Sequence, residues 1–208
     1  MKRNLFFIIV LILLFLIINI YAEENLFNRI FFNNLVNSSE IIIKNPYASF
    51  ICLFGAGVIT VSIMNNDLII KDYFNNNRSE FSDKIFDIFN MAGDGMSVFA
   101  LNSFLFLFGE KEKSTAEKVI AAVLTSGVTS YVIKIIAGRQ RPATTDDRYD
   151  FNPFSLNDSF PSGHTTVAFS WATVVAQNYG IWYLTYPVAT LCGFARIYKN
   201  MHWASDVF

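Results

Sequence analysis

Five apolar stretches of the chain are long, and none of them alternates between apolar and polar residues. They cover residues 47–64, 89–108, 116–137, 165–178 and 181–195. Strict alternation is the pattern of a half-buried strand, whereas unbroken apolar runs of this length are typical of helices. The first three are about long enough to cross a bilayer, which takes about 20 residues. The sequence therefore predicts an all-α helical bundle, embedded in a membrane or associated with one.

A further apolar run, residues 5–18, follows Lys2 and Arg3 at the N-terminus. A basic start, a short hydrophobic run and Ala22 before an acidic pair are typical of a secretory signal peptide at residues 1–22. An uncleaved anchor is the alternative, because Ile20 stands where a small residue is commoner. Under either interpretation residue 23 is exported. The remaining chain divides into an N-terminal region, 23–84, with an apolar helix at 47–64 and a short amphipathic helix at 26–36, and a core at 85–208.

Charge and cysteine content exclude several classes of protein. Sixteen Lys and Arg against seventeen Asp and Glu leave a net charge of -1, so the chain lacks the basic surface by which proteins bind nucleic acid. Cys52 and Cys192 lie far apart in apolar stretches. We expect them to be buried thiols rather than a disulfide or a metal cluster.

The one long irregular segment, residues 138–163, is bordered by two polar clusters. In the first, the helix that carries Lys134 is predicted to end at Gly138, and Arg141-Pro142 begins an extended path. In the second, Ser162-Gly163 precedes the helical run at 165–178, where free backbone N–H groups and the helix dipole favour an anion. His164 stands on the first turn of that helix. Asp146, Asp147, Arg148 and Asp150 within the segment are interpreted as solvated surface, with contact to a headgroup as the alternative.

A third cluster runs from Arg196 to Asp206. If the chain is helical from Trp203 onward, His202 and Asp206 share a face at i, i+4, and the carboxylate can hold one imidazole nitrogen while the other stays free. The chain has two histidines, and both lie in these clusters. Two imidazoles beside three cations form a site for an oxyanion. The pattern indicates phosphoryl transfer without a metal, with His202 attacking phosphorus and His164 protonating the leaving oxygen.

The pattern Lys134-x6-Arg141-Pro142, then Pro161-Ser162-Gly163-His164, then Arg196-x5-His202-x3-Asp206 resembles the three-part signature of the type 2 phosphatidic acid phosphatase and vanadium haloperoxidase superfamily. The resemblance extends over about residues 85–208. It implies that Lys134, Arg141 and Arg196 bind phosphate and that Ser162 and Gly163 donate hydrogen bonds to it. It also implies that His202 is the nucleophile, that Asp206 orients it, that His164 is the general acid and that no cofactor is needed.

Two departures from that family pattern are visible. Ala195 precedes the third-motif arginine, where the family usually has Ser; the missing hydroxyl is worth about 0.5–1.5 kcal/mol as one hydrogen bond. Family members also continue into a last bundle helix, whereas this sequence ends at Phe208. We therefore expect the bundle to lack that helix.

Two lines of reasoning disagree about the side of the membrane on which the site lies. If residue 23 is exported and three stretches then cross, the loop at 138–163 is cytoplasmic, whereas the membrane members of the family resemble one another in an extracytoplasmic site. We favour the extracytoplasmic site, in a bacterial-type cell envelope. Either one stretch does not span, with 89–108 the suspect because of Asp94 and Asn102, or the mature protein is a periplasmic bundle that only associates with the membrane. Gly93-Asp94-Gly95 is interpreted as a close helix contact.

The function favoured by these observations is hydrolysis of a phosphorylated lipid, either a monoester or a pyrophosphate, through a phosphohistidine. The alternatives are a non-specific periplasmic acid phosphatase, a haloperoxidase and a non-catalytic membrane protein that binds phosphate. The intact set of His202, His164 and Asp206 disfavours the last, because a binding protein does not need a nucleophile.

Overall fold

The structure, a computed structural model, describes residues 44–208, so the predicted signal peptide and the amphipathic helix at 26–36 lie outside the described residues. Within 44–208 the chain is helical and forms no strand; Arg139 and Phe151 make one isolated bridge. The elements are α1 (Pro46–Met64), α2 (Asp67–Asn76), α3 (Glu80–Met91), α4 (Gly95–Leu105), α5 (Glu110–Ala137), α6 (Gly163–Tyr179), α7 (Trp182–Tyr198) and a 3-10 helix (Ala204–Asp206). The predicted all-α architecture is confirmed.

Four of the five apolar stretches each correspond to one helix, and the second, 89–108, does not. It is divided between the end of α3 and the whole of α4, because Asp94 caps α4 by accepting a hydrogen bond from the Ser97 amide at 2.8 Å. A Cβ on Gly93 would lie 2.4 Å from the His164 carbonyl oxygen. This turn is thus the close contact predicted for Gly93.

The segment after α1, residues 65–77, is rich in asparagine. The many asparagines of residues 65–77 indicate an exposed connection, yet α2 occupies most of this segment and Asp67 is fully buried. The polar side chains that suggest a loop lie on the exposed face of a short helix, and a 10-residue helix gives too little periodic signal to be recognised.

The centre of the bundle is an antiparallel pair, α6 and α7, joined by the left-handed Gly180. Its core consists of small residues, namely Ala168, Ala172, Ala189 and Cys192, which allow the helix axes to approach closely. α5 packs along the other side of α6, and α3 packs on α7. Because α6 and α7 are antiparallel, the start of α6 and the end of α7 lie at the same end of the bundle.

Within residues 44–208, two helices, α1 and α5, are long and apolar enough to cross a membrane. α1 has no buried residue, and its large apolar side chains are exposed along its length. Cys52, predicted to be buried, is exposed on this helix, whereas Cys192 is buried as expected. An exposed apolar surface of this extent needs an apolar solvent.

The long loop 138–163 is fixed at its start by Gly138. This residue ends α5 in the left-handed conformation at φ 56, and a Cβ there would lie 1.7 Å from the Asn152 carbonyl oxygen. The loop is further bonded to the end of α1, because Arg148 donates to the Asn65 carbonyl at 2.8 Å and Tyr149 donates to its side chain. The predicted helix end at Gly138 is therefore confirmed. The loop is attached to the end of α5 through Gly138 and to the end of α1 through Asn65.

Candidate active site

The three motif clusters meet at one end of the bundle. Lys134 lies in the last turn of α5, His164 in the first turn of α6 and Arg196 in the last turn of α7. The charges of Arg141, Arg196 and Asp206 all act on Lys134, and those of Arg196, His202 and Arg141 act on His164. All eight residues that the sequence singled out thus lie around one site.

Arg141 and Lys134 share a partner that the sequence did not suggest. Arg141 donates from Nε and Nη2 to the two carboxylate oxygens of Asp158, at 2.8 and 2.7 Å. Lys134 donates to the backbone carbonyl of the same residue. Burial raises the pKa of Asp158, but the hydrogen bonds and charge of Arg141, with Lys134, outweigh it and hold that pKa below its ordinary value. A carboxylate therefore occupies the two-pronged site on Arg141 that a phosphate would use.

Arg196 is buried and only partly satisfied. Its Nη1 donates to the side-chain oxygen of Asn90 at 2.7 Å, while its Nε has no hydrogen-bond partner within residues 44–208. A buried donor without an acceptor is costly and rare in native proteins. Arg196 is therefore arranged to receive an additional acceptor, such as a phosphate oxygen.

The start of α6 supplies backbone donors beside these cations. The Ser162 amide is already used, because it donates to the Asp206 carbonyl at 2.8 Å, and the Ser162 hydroxyl accepts from the Thr165 hydroxyl at 3.0 Å. The amides of Gly163 and His164 lie in the first turn, where helices lack intrahelical acceptors. A Cβ on Gly163 would meet no atom closer than 3.8 Å. The backbone amides at this helix start that remain available to an anion are therefore those of Gly163 and His164, whereas the Ser162 amide is bonded to Asp206.

His202 is buried and its tautomer is fixed by a backbone carbonyl. Its Nδ1 lies 2.7 Å from the carbonyl oxygen of Ser159 and 3.7 Å from Oδ2 of Asp206. A carbonyl can only accept, so Nδ1 carries the proton and Nε2 keeps its lone pair. Burial lowers the pKa of His202 to about 4, although the charge of Asp206 opposes this. The neutral imidazole has the form that a nucleophile requires.

Asp206 lies too far from His202 for a hydrogen bond, and the local helix differs from the predicted one. Residues 204–206 form a 3-10 turn, so the i, i+4 spacing of an α-helix does not apply. Oδ2 of Asp206 accepts from the Trp203 amide at 2.8 Å and from the Ser159 hydroxyl at 2.5 Å. Burial opposes ionisation, but His202, Arg139 and Ser159 together hold the pKa of Asp206 below its ordinary value. Asp206 thus holds the residue whose carbonyl fixes His202.

Sequence reasoning missed a buried polar cluster behind this carboxylate. It consists of Asp67, Arg139, Ser159 and Ser205, all nearly inaccessible to solvent. Arg139 lies inside the x6 spacer of the first motif, where an unmatched arginine gave a weak signal, and Asp67 gave none. Among residues 44–208, no group of three or more His, Cys, Asp or Glu side chains is placed to hold a metal ion.

Comparison with protein families matches residues 116–208 to the model of the PAP2 superfamily. Among curated proteins, the lipid A 1-phosphatase of Porphyromonas gingivalis is 49% identical over 55 residues, which are 24% of this chain and 12% of that protein. YbjG of Escherichia coli, provisionally named an undecaprenyl-diphosphatase, is 27% identical over 106 residues, which are 50% of this chain and 54% of that protein. The matched segments thus span about half of the length of YbjG and about an eighth of the lipid A 1-phosphatase.

Two solved structures have the same fold. LpxE of Aquifex aeolicus is 32% identical, with a TM-score of 0.56 over 68% of this chain and 85% of that one. A transmembrane PAP2-type phosphatidylglycerolphosphate phosphatase from Bacillus subtilis is 17% identical, with a TM-score of 0.55 over 74% of this chain and 86% of that one.

Proposed function

Since the chain belongs to the PAP2 superfamily, we propose that it is a metal-independent phosphatase that hydrolyses a lipid phosphate monoester or pyrophosphate through a phosphohistidine. The proposal is supported most directly by the environment of His202. A neutral imidazole, with Nδ1–H held by Ser159 and Nε2 unprotonated, shares one site with Lys134, Arg141 and Arg196. This combination supplies a nucleophile and the positive charge that a phosphoryl group needs.

The reaction divides into two displacements. Nε2 of His202 attacks phosphorus and forms a P–N bond, while the bond from phosphorus to the lipid oxygen breaks and that oxygen takes its electron pair and a proton from His164. His164 donates as the imidazolium: burial and the charge of Arg196 lower its pKa to about 4 before substrate binds, and the negative charge of the bound phosphate favours the protonated form. Water then attacks phosphorus, gives a proton to the neutral His164, and the P–N bond breaks. Phosphate leaves and both imidazoles return to their starting states. Lys134, Arg141, Arg196 and the Gly163 amide stabilise the equatorial oxygens in both steps.

A phosphorylated lipid is the substrate class that we propose. The proposal is supported by the apolar, exposed surfaces of α1 and α5, which associate the protein with a membrane and bring the site to lipids. The relatives named as a lipid A 1-phosphatase and an undecaprenyl-diphosphatase point to the same class. A membrane-anchored phosphatase concentrates lipid substrates at its site, which a soluble acid phosphatase does not.

We also propose that the site is extracytoplasmic. The loop bonded to Asn65 places the end of α1 beside the site, and α5 ends there as well. α4 begins beside His164, because Gly93 just before it contacts the His164 carbonyl. It ends near the start of α5, where Asn102 donates to the Ala116 carbonyl. Pro46 and His202 would thus face opposite sides of a membrane that α1 crosses. An extracytoplasmic site then requires Pro46 on the cytoplasmic side, whereas the predicted signal peptide exports residue 23.

The test is phosphate release by the full-length protein in detergent micelles, in buffer with EDTA, from lipid phosphates and from soluble phosphate esters. We expect release from the lipids, loss of nearly all of it in His202→Ala, and inhibition by vanadate. Quenching with denaturant at alkaline pH, where the acid-labile P–N bond survives, should trap phosphate on the wild type but not on His202→Ala. Release that needs a metal, or that survives the substitution, would refute the phosphohistidine mechanism, and equal rates on soluble esters would refute the lipid preference.

A further inference from the structure

Asp67, the first residue of α2, is a buried carboxylate that lies far from the motifs in sequence. Its Oδ1 accepts from the Ser205 amide at 2.9 Å, and its Oδ2 accepts from the Ser205 hydroxyl at 2.5 Å. Oδ2 also accepts from Nη2 of Arg139 at 2.8 Å, and neither side chain is exposed. Asp67 therefore joins the segment before the matched family region to the turn that comes after His202.

Arg139 connects Asp67 with the site. Its Nη1 donates to Oδ1 of Asp206 at 2.5 Å and to the Ser205 hydroxyl at 2.7 Å, while Nε and Nη2 donate to the Arg148 carbonyl. The guanidinium thus lies between two carboxylates, and a fixed planar fork can hold both, which a lysine could not. The three charges leave one net negative charge in this buried cluster.

The main chain of Arg139, like its side chain, is connected to Asp206, in this case through Ser159. Its carbonyl accepts from the Ser159 amide at 3.0 Å, and the Ser159 hydroxyl donates to Asp206 at 2.5 Å. Ser159 in turn supplies the carbonyl that accepts from Nδ1 of His202. Both groups next to Nδ1, the Ser159 carbonyl and the Asp206 carboxylate, are therefore held by Arg139.

We propose that Asp67 and Arg139 are positioning residues for His202: Asp67 fixes Arg139, and Arg139 fixes Ser159 and Asp206 so that Nδ1 is protonated and Nε2 is free. The proposal deepens the proposed function and rests on it for the role of His202. A free imidazole in water favours the opposite tautomer, with the proton on Nε2, so this arrangement has to be imposed by the surroundings.

The alternative is that the cluster only stabilises the fold, and two carboxylate substitutions separate the two cases. Asp67→Asn keeps the shape and the Oδ1 acceptor but places an amide against Arg139. Asp83→Asn is the matched control, because Asp83 accepts from the Tyr198 hydroxyl at 2.7 Å and so joins α3 to α7 without contact to Asp206. A purely structural role predicts that both variants behave alike.

The readout is the ¹⁵N spectrum of ring-labelled histidine at neutral pH, in the full chain in detergent micelles and without substrate. The chain has two histidines, so His164→Gln assigns the spectrum. We expect the wild type and Asp83→Asn to show His202 protonated on Nδ1, and Asp67→Asn to show a mixture of tautomers. With a lipid phosphate, kcat of Asp67→Asn should fall about tenfold with KM within about twofold, because ground-state binding of phosphate is unchanged.

If Asp67→Asn does not fold, Ser205→Ala serves instead, since it removes the hydroxyl shared by Asp67 and Arg139 without leaving a buried charge unpaired. It should shift the tautomer in the same direction and by less. An unchanged His202 spectrum in the folded variants, judged by an unchanged His164 signal, would overturn the proposal. The spectrum is read without turnover, so a tautomer shift in a protein that releases no phosphate would sustain the positioning role and refute the phosphatase.

Discussion

If Arg141 binds the substrate phosphate as we propose, Asp158 competes with substrate for it, and replacement of Asp158 by Asn should tighten the binding of phosphate-like anions. The carboxylate forms two charge-assisted hydrogen bonds with Arg141, at 2.8 and 2.7 Å. A phosphate can use the same fork only after Asp158 has been displaced. In Asp158→Asn the backbone carbonyl that accepts from Lys134 remains, so the hydrogen bonds that change are those with Arg141.

The magnitude depends on the exposure of the pair. The side chains of Arg141 and Asp158 are 26% and 53% exposed, so the pair is largely screened and is worth about 1 kcal/mol rather than the larger value of a buried pair. That free energy corresponds to about a fivefold change in a dissociation constant. We therefore expect the inhibition constants of vanadate and inorganic phosphate to fall about fivefold in Asp158→Asn.

The assay is inhibition of lipid phosphate hydrolysis by vanadate at several substrate concentrations. Asp146→Asn is the control, because Asp146 lies in the same loop but pairs with Lys71, at 2.7 Å, and not with a cation of the site. Its inhibition constant should equal that of the wild type. Weaker inhibition of Asp158→Asn by vanadate would refute the reasoning, because it would mean that Asp158 orients Arg141 for substrate and does not compete with it.

Two further predictions concern stability. Gly138→Ala should lower the Tm in detergent far more than Gly180→Ala. Both glycines have positive φ, which costs an alanine about 1 kcal/mol, but only at Gly138 would the new Cβ meet a backbone atom, at 1.7 Å. Equal losses of Tm would contradict the steric argument. The pKa of His202 is lowered from 6.5 to about 4 by burial, so its contribution to stability is complete above pH 6.5 and is lost as the pH falls through 4. Between pH 7 and pH 5 the wild type should therefore lose about 2 kcal/mol more than His202→Gln, measured by unfolding in detergent, and parallel losses would show that His202 does not titrate in this way.

The sequence predicted those parts of the molecule that depend on local pattern. The helix end at Gly138, the helix start at Ser162 and the meeting of Lys134, His164 and Arg196 all follow from cap residues and from the antiparallel order of α6 and α7. The helical character of the apolar stretches followed from their lack of alternation. The division of residues 89–108 did not, because the apolar run conceals a turn at which Asp94 caps α4 and Gly93 lies against His164.

Long-range polar contacts could not be predicted in the same way. Nothing in the neighbourhood of Asp67 distinguishes it from the solvated acids nearby, and its role depends on Arg139 and Ser205, which are remote in sequence. Similarly, Ser159 contacts His202 through its backbone carbonyl. Every residue has a backbone carbonyl, so the sequence cannot show which one makes this contact. Asp158 was missed because one acidic residue in a polar loop resembles any other.

The contact between Asp67 and Arg139 limits how this protein can be dissected. A fragment confined to residues 116–208, the part that matches the family model, would contain Arg139 and Asp206 but not the carboxylate on the other side of the guanidinium. Transplanting the three motifs into another helical scaffold would meet the same difficulty unless an acid were supplied behind the arginine. A fragment that keeps this ion pair must therefore reach back at least to α2, and a border drawn from the motif match alone would separate Arg139 from Asp67.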